Sequence, residues 1–199
     1  MIPALSIVEL KRRISEKYEY EEKHIVGIMF ARYGIENIQD IISDCYLYWH
    51  LNSGVDFDIF WAGYGEYLPS DLESATKTIL NFSGNNTGVY FDLEDFITFK
   101  DVAKKLNIIK YQDKFELVLL NYRNGELCYD ENIIIDFEEN LQCGNSNLRT
   151  VMEFIIEECK DCDDVKTFHR KMFAKKLWGK IRGVTISDIV NTAIGIASL

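Results

Sequence analysis

The chain has 199 residues, a formal net charge of −10, 47% hydrophobic and 27% charged side chains, a globular balance with room for a sizeable core. No apolar run approaches the roughly eighteen residues of a membrane span, so no membrane partner is expected, and the reading is a soluble, cytoplasmic protein. A surplus of this sign repels nucleic acid as a whole and favours basic partners.

Ser6-Ile7-Val8-Glu9 is a capping-box pattern, and Ile7, Leu10 and Ile14 fall on one face of the helix it starts. After a polar run, Ile25, Ile28 and Met29 return to helical spacing, with Gly34 as a C-cap, which predicts one long helix or two abutting ones. Ile38, Ile41, Ile42, Cys45 and Trp49 continue the helical period. Residues 1–53 therefore read as helical.

Gly54 to Leu68 carries the most polarised strand pattern. Side chains alternate between two faces with period two, so Val55, Phe57, Ile59 and Trp61 make an apolar row, with Asp56, Asp58 and Phe60 opposite. Ala62-Gly63-Tyr64-Gly65 breaks the pattern as a flexible aromatic loop. Beyond it, Ser70-Asp71-Leu72-Glu73 predicts a helix with Leu72, Ala75 and Ile79 buried. Val89 to Asp92 reads as a short strand, and Thr98 to Leu106 as a short helix. Lys114 to Tyr122 is a strand, followed by Asn124-Gly125, a strong hairpin signal. Leu127 to Tyr129 and Asn132 to Phe137 are the return strands. Asn147 caps a helix with Leu148, Val151, Met152, Ile155 and Cys159 on one face. Residues 165–182 carry seven bases and no acid, and Thr185 to Asp188 caps a last helix.

These periods predict one α+β domain over 1–199, with a central, mainly antiparallel sheet at about residues 55–137 between N-terminal and C-terminal helices. Its thirds are helical (1–53), acidic and strand-rich (54–146), and helical with local basic character (147–199). The middle third holds 17 acidic and 7 basic residues.

Several motifs bear on chemistry. Asp56-Phe57-Asp58 resembles the paired-aspartate strand of the polymerase-β-like nucleotidyltransferases, a resemblance that implies divalent metal and phosphoryl transfer. That family has a Gly-Ser pair upstream, where this chain has Ile42-Ser43-Asp44-Cys45, and a third carboxylate would come from Asp92, Glu116 or Asp136. Phe99 to Leu106 looks like the first helix of a helix-turn-helix, yet strand character follows it. Cys159-Lys160-Asp161-Cys162, with His169 beyond, lacks the second pair of a structural zinc site, and the five cysteines do not suggest a disulfide framework. No cofactor or metal is assigned. The basic run, with Phe168, Phe173 and Trp178, suits either an anionic partner or pairing with the chain's own acids.

The charge then carries the expectation: an acidic inhibitor, of the general kind of toxin-immunity or phage anti-defence proteins, that blocks a basic partner such as a nuclease or toxin, without direct nucleic-acid contact. The candidate partner-binding residues are Asp56, Asp58, Tyr64, Glu66, Tyr67, Asp92, Glu94, Asp95, Asp136, Glu138 and Glu139, with Trp61 beside the aromatic loop. The alternative is a metal-dependent phosphoryl-transfer enzyme built on Asp56 and Asp58.

Overall fold

A computed structural model describes residues 2–20, 22–35, 38–42, 49, 57–67, 77–80, 88–109, 115–137, 145–181, 183–187 and 190. The protein is α+β. Strands β1 (Ile2–Ala4), β2 (His24–Phe30), β3 (Asp58–Ala62), β7 (Glu116–Arg123), β8 (Glu126–Asp136) and β9 (Val184–Ile186) form a six-stranded sheet in the order β1-β3-β2-β7-β8-β9. A second, three-stranded sheet has the order β4-β6-β5, from β4 (Tyr64–Tyr67), β5 (Lys77–Leu80) and β6 (Gly88–Asp92). β3 pairs in parallel with β1 and β2, and the other pairings are antiparallel. Helices α1 (Ile7–Lys17), α2 (Leu93–Lys105), α3 (Asn145–Cys159) and α4 (Val165–Ala174) flank the sheets, and the buried apolar side chains form one contiguous cluster.

The local signals at α1 act as expected. Ser6 Oγ accepts from the Glu9 N–H at 3.1 Å, and Glu9 Oε2 accepts from the Leu5 N–H at 2.8 Å, so two donors at the helix start are satisfied reciprocally. Ile7, Leu10 and Ile14 are its buried stripe. The Asn124-Gly125 hairpin also forms, with both residues at positive φ (51° and 75°) and Arg123 opposite Glu126. That is the backbone of a two-residue turn matched to strand twist.

Several segments depart from the sequence reading, among them β1, which lies within the stretch read as helical. Residues 24–30 are strand β2, not helix. HIVGIMF is a nearly unbroken apolar run, and over so short a stretch a helix cannot be told from a strand buried on both faces; here β3 and β7 lie on either side of it. The sheet thus draws strands from both ends of the chain. α2 starts at Leu93 rather than Thr98, because the Asp92 carboxylate accepts from the Glu94 and Asp95 N–H groups. Ile79, assigned to a helical stripe, lies in strand β5, and residues 70–76 are outside the described ones. Thr185 and Ile186 belong to β9 rather than to a helix cap.

β8 is one strand where two were expected. Its register with β7 jumps between Leu120, opposite Asn132, and Asn121, opposite Cys128, so Tyr129, Asp130 and Glu131 bulge out together. α2 and α4 both end in left-handed turns. Ile108 N–H donates to Ala103 O with Asn107 at φ 55°, and Leu177 N–H donates to Met172 O with Lys176 at φ 55°. Both are Schellman-type closures.

Candidate functional site

The proposed site residues split between core and surface. Asp58 opens β3, and its side chain is 1% exposed. Oδ1 meets Lys17 Nζ at 2.6 Å, and Oδ2 accepts the hydroxyl of Tyr18. Tyr18 caps the C-terminus of α1 and stacks on His24, with ring centroids 4.0 Å apart. Burial, then the hydrogen bond to Asp58 and the Asp58 charge, push the Tyr18 phenol far above its ordinary value, so it stays a proton donor. Asp58 therefore ties the end of α1 to the start of β3, with both of its oxygens engaged by side chains of this chain. Asp56 lies outside the described residues.

The carboxylates that would complete a metal site are elsewhere. Asp58 is opposite Val26, whose partner on β7 is Leu120, whereas Glu116 is opposite Phe30 and Asp136. That is four residues along the strands, about 13 Å. Asp92 donates its N–H to Gly63 O, at the far end of β3. Glu116, Asp92 and Asp136 are all buried, and among the described residues no cluster of three or more His, Cys, Asp or Glu side chains has a metal-binding arrangement.

The expected aromatic loop is interior. Trp61 and Tyr64 are 1% and 0% exposed, and Gly63 is a single residue between β3 and β4, where the chain leaves one sheet for the other. At φ 78°, a Cβ on Gly63 would lie 2.5 Å from Phe96 Cβ and 2.8 Å from Phe96 Cα, so glycine alone fits. Tyr64 donates to Ala31 O at 2.7 Å. Its ring lies 5.5 Å from Trp61 and 5.1 Å from Phe91, and Trp49 lies 5.7 Å from Trp61, spacings within the range of aromatic pairing. Period two places Trp61 in the apolar row with Phe57 and Ile59, where it lies; Tyr64 reads as part of a free loop because Gly63 and Gly65 interrupt the pattern, and no local period registers the second sheet that the chain enters there.

Of the candidate acids, Glu66 and Glu94 are exposed and Asp95 is half-exposed, whereas Asp58, Asp92 and Asp136 are buried and do not form a contact surface. Glu138, Glu139 and the Tyr67 side chain lie outside the described residues. The exposed acids lie around β4, β6 and the start of α2. Arg13 Nε is 2.9 Å from Glu9 and Arg13 Nη1 is 3.9 Å from Glu66. Tyr90, opposite Gly65, has its phenol raised by burial and then by the charges of Asp95, Asp92 and Glu9. Acids from α1, from the end of β6 and from the first turn of α2 are thus near enough to act on one side chain.

A further buried carboxylate had no sequence signal. Glu131, in the β8 bulge, accepts from Asn121 Nδ2 at 2.5 Å, Lys166 Nζ at 2.7 Å and Arg123 Nη2 at 3.2 Å. Burial raises its pKa, but the hydrogen bonds from Lys166 and Asn121 and the charges of Arg123 and Lys166 outweigh it, and the net shift is downward. Asn121 Oδ1 in turn accepts from the Val165 N–H at 2.7 Å, which fixes the start of α4. The basic run is thus partly consumed internally: Lys166 pairs with Glu131, and Lys171 and Lys175 lie 3.3 and 3.1 Å from Glu158. Cys159 and Cys162 are free thiols raised by burial, and His169 Nδ1 accepts from Trp178 Nε1 at 2.9 Å. No helix among the described residues is long and apolar enough to cross a membrane.

Fold and site together define an α+β protein in which Asp58, Glu131 and Glu158 are paired with the chain's own lysines and exposed acids stand beside the smaller sheet. Comparisons with known protein families, with curated proteins and with solved structures each give no match to this chain.

Proposed function

We propose that the protein is an acidic binding protein that blocks a basic, nucleic-acid-handling partner, as an immunity or anti-defence inhibitor does. The observation that carries this reading is the grouping of acids beside the smaller sheet: Arg13 reaches both Glu9 and Glu66, Arg12 also lies 3.9 Å from Glu9, and Glu94 and Asp95 stand at the accessible start of α2. The contact residues of this reading are Glu66, Glu94 and Asp95, with Glu9 at the edge. The buried Trp61 and Tyr64 have no part as anchors. Binding through this face is therefore dominated by charge, with rapid, salt-sensitive encounter. Asp58 favours no enzymatic reading, since a lysine and a phenol already occupy it.

The test is capture of partners by the immobilised protein from its source cells, followed by inhibition assays on each purified basic partner. The expected result is loss of that partner's activity, with an association rate that falls steeply as salt rises. The triple reversal Glu66→Lys, Glu94→Lys, Asp95→Lys is expected to slow association about tenfold or more. Failure of every captured partner to be inhibited, or an association rate indifferent to salt and to the reversal, would overturn the reading.

A further inference from the structure

The C-terminal end of α2, the β8 bulge and strand β9 enclose a cleft of about 720 Å³. Its size lies in the range that encloses a drug-sized ligand. The floor is set by register: Ile134 and Thr185 are direct cross-strand partners on β8 and β9, and both line the cleft with Ile109 and Ile186. One wall is the Schellman turn that closes α2, contributing Lys104, Leu106 and Asn107; the other is the bulge, contributing Tyr129 and Asp130. The bulge is held in place from within. Asn132 Nδ2 donates to Tyr129 O at 2.8 Å, and the Asn132 N–H donates to Ser187 Oγ at 3.2 Å.

The cleft carries one charge of each sign, from Lys104 and Asp130. Many lysines and glutamates of the chain are paired, as at Lys17, Lys166 and Lys171. Lys104 and Asp130 both line the cleft, are both exposed, and neither forms an ion pair among the described residues. One cation and one anion therefore stand over an apolar floor, with the hydroxyls of Thr185 and Ser187 between α2 and the bulge. Buried apolar area supplies affinity in such sites, and a few polar groups fix orientation.

We propose that this cleft binds a small zwitterion with an apolar side chain, its carboxylate towards Lys104 and its ammonium towards Asp130. Two sources share that chemistry, a free branched-chain amino acid and a short apolar peptide with free ends. The site is separate from the acidic face around Tyr90, and neither proposal depends on the other.

The test is methyl NMR on the full chain labelled at isoleucine δ1, titrated with leucine, with the dipeptide Leu-Leu, and with the same dipeptide acetylated and amidated at its ends. The expected result is saturable shifts at Ile134, Ile186 and Ile109, with a dissociation constant of about 1 mM or tighter, and at least about tenfold weaker binding of the blocked dipeptide. Saturation by leucine as tight as by Leu-Leu identifies the amino acid as the source, and saturation by Leu-Leu alone identifies the peptide. Lys104→Gln and Asp130→Asn are exposed changes expected to leave the melting temperature unmoved and to weaken binding several-fold each. Absence of saturable shifts at these methyls up to about 10 mM of either free-ended ligand, equal binding of the blocked dipeptide, or indifference to both substitutions would overturn the proposal.

Discussion

Asp58 and Glu66 are eight residues apart on two strands joined by one glycine, and they meet opposite environments. Asp58 is 1% exposed in a six-stranded sheet with neighbours on both edges of its strand, held by Lys17 and Tyr18. Glu66 is 51% exposed in the three-stranded sheet, 3.9 Å from one arginine. The same residue class at similar spacing is thus a structural tie in β3 and a surface charge in β4. The difference comes from the sheet that each strand enters, and Gly63 is the point where the chain passes between them.

The largest expected effect follows from removing that point. Gly63→Ala puts a Cβ at positive φ and into the backbone of Phe96, which helix α2 cannot yield without losing the Phe96 packing. The expected cost is more than about 3 kcal/mol, read by chemical denaturation.

Asp58→Ala comes next. It leaves the Tyr18 hydroxyl and the Lys17 ammonium without their carboxylate at the end of α1. Removing one partner of a largely buried pair costs about 3 kcal/mol, and the tie between α1 and β3 loosens, so amide exchange should accelerate at Tyr18 and His24. A loss below about 1 kcal/mol would put Asp58 in the same class as Glu66 and erase the contrast between the two strands.

Glu131 sharpens the comparison, because it is a buried carboxylate with more donors than Asp58. Its folded pKa is lowered relative to the unfolded chain. The stability it confers is therefore complete above the ordinary carboxylate value and is lost as pH falls through the lower, folded value. Glu158, whose pKa burial raises but Lys175 and Lys171 bring down overall, adds to the same acid limb. Glu131→Gln should flatten the fall in stability below about pH 4.5, measured as the midpoint of urea unfolding against pH. An unchanged acid limb would remove Glu131 from the account.

Tyr64→Phe tests the other side of the Gly63 crossing. The ring and its contacts with Trp61 and Phe91 remain, while Ala31 O loses its buried donor. The expected cost is about 1–2 kcal/mol, with no effect on partner binding, since the hydroxyl is interior.

How far these roles were legible in the sequence depended on the range of the interactions that set them. Ser6 with Glu9, and Asn124 with Gly125, act within four residues, and both gave the element that formed. β6 and β7 were also read as strands, from short apolar runs that are buried along nearly their whole length. β2 was misread since Ile25, Ile28 and Met29 satisfy a helical period and a continuous buried run alike. Asp58 was misplaced because period two separates faces without saying which are covered. Its cover comes from Lys17 and Tyr18, about forty residues earlier. Glu131 left no trace because its donors sit at 121, 123 and 166, brought together by a bulge that no local pattern announces. Of the candidate acids, Glu66, Glu94 and Asp95 stayed at the surface because β4 and the first turn of α2 present them there.

The smallest expected effect is at Glu66 itself. Its only ion pair among the described residues is with Arg13, at 3.9 Å, and Arg13 has a closer partner in Glu9 at 2.9 Å. Loss of Glu66 therefore leaves Arg13 paired and buries no orphaned charge. An exposed pair at the limit of contact is worth a few tenths of a kcal/mol and is screened further by salt. Glu66→Gln should shift the unfolding free energy by less than about 0.5 kcal/mol, and a double-mutant cycle with Arg13→Gln should give a coupling energy of the same size or less. A coupling near that of the Lys17–Asp58 pair would mean that β4 holds a structural tie of its own, and the acidic face would then have one charge fewer to offer a partner. A small coupling, together with slower association for Glu66→Gln at low salt, is the combination expected of a charge that the fold leaves at the surface for recognition.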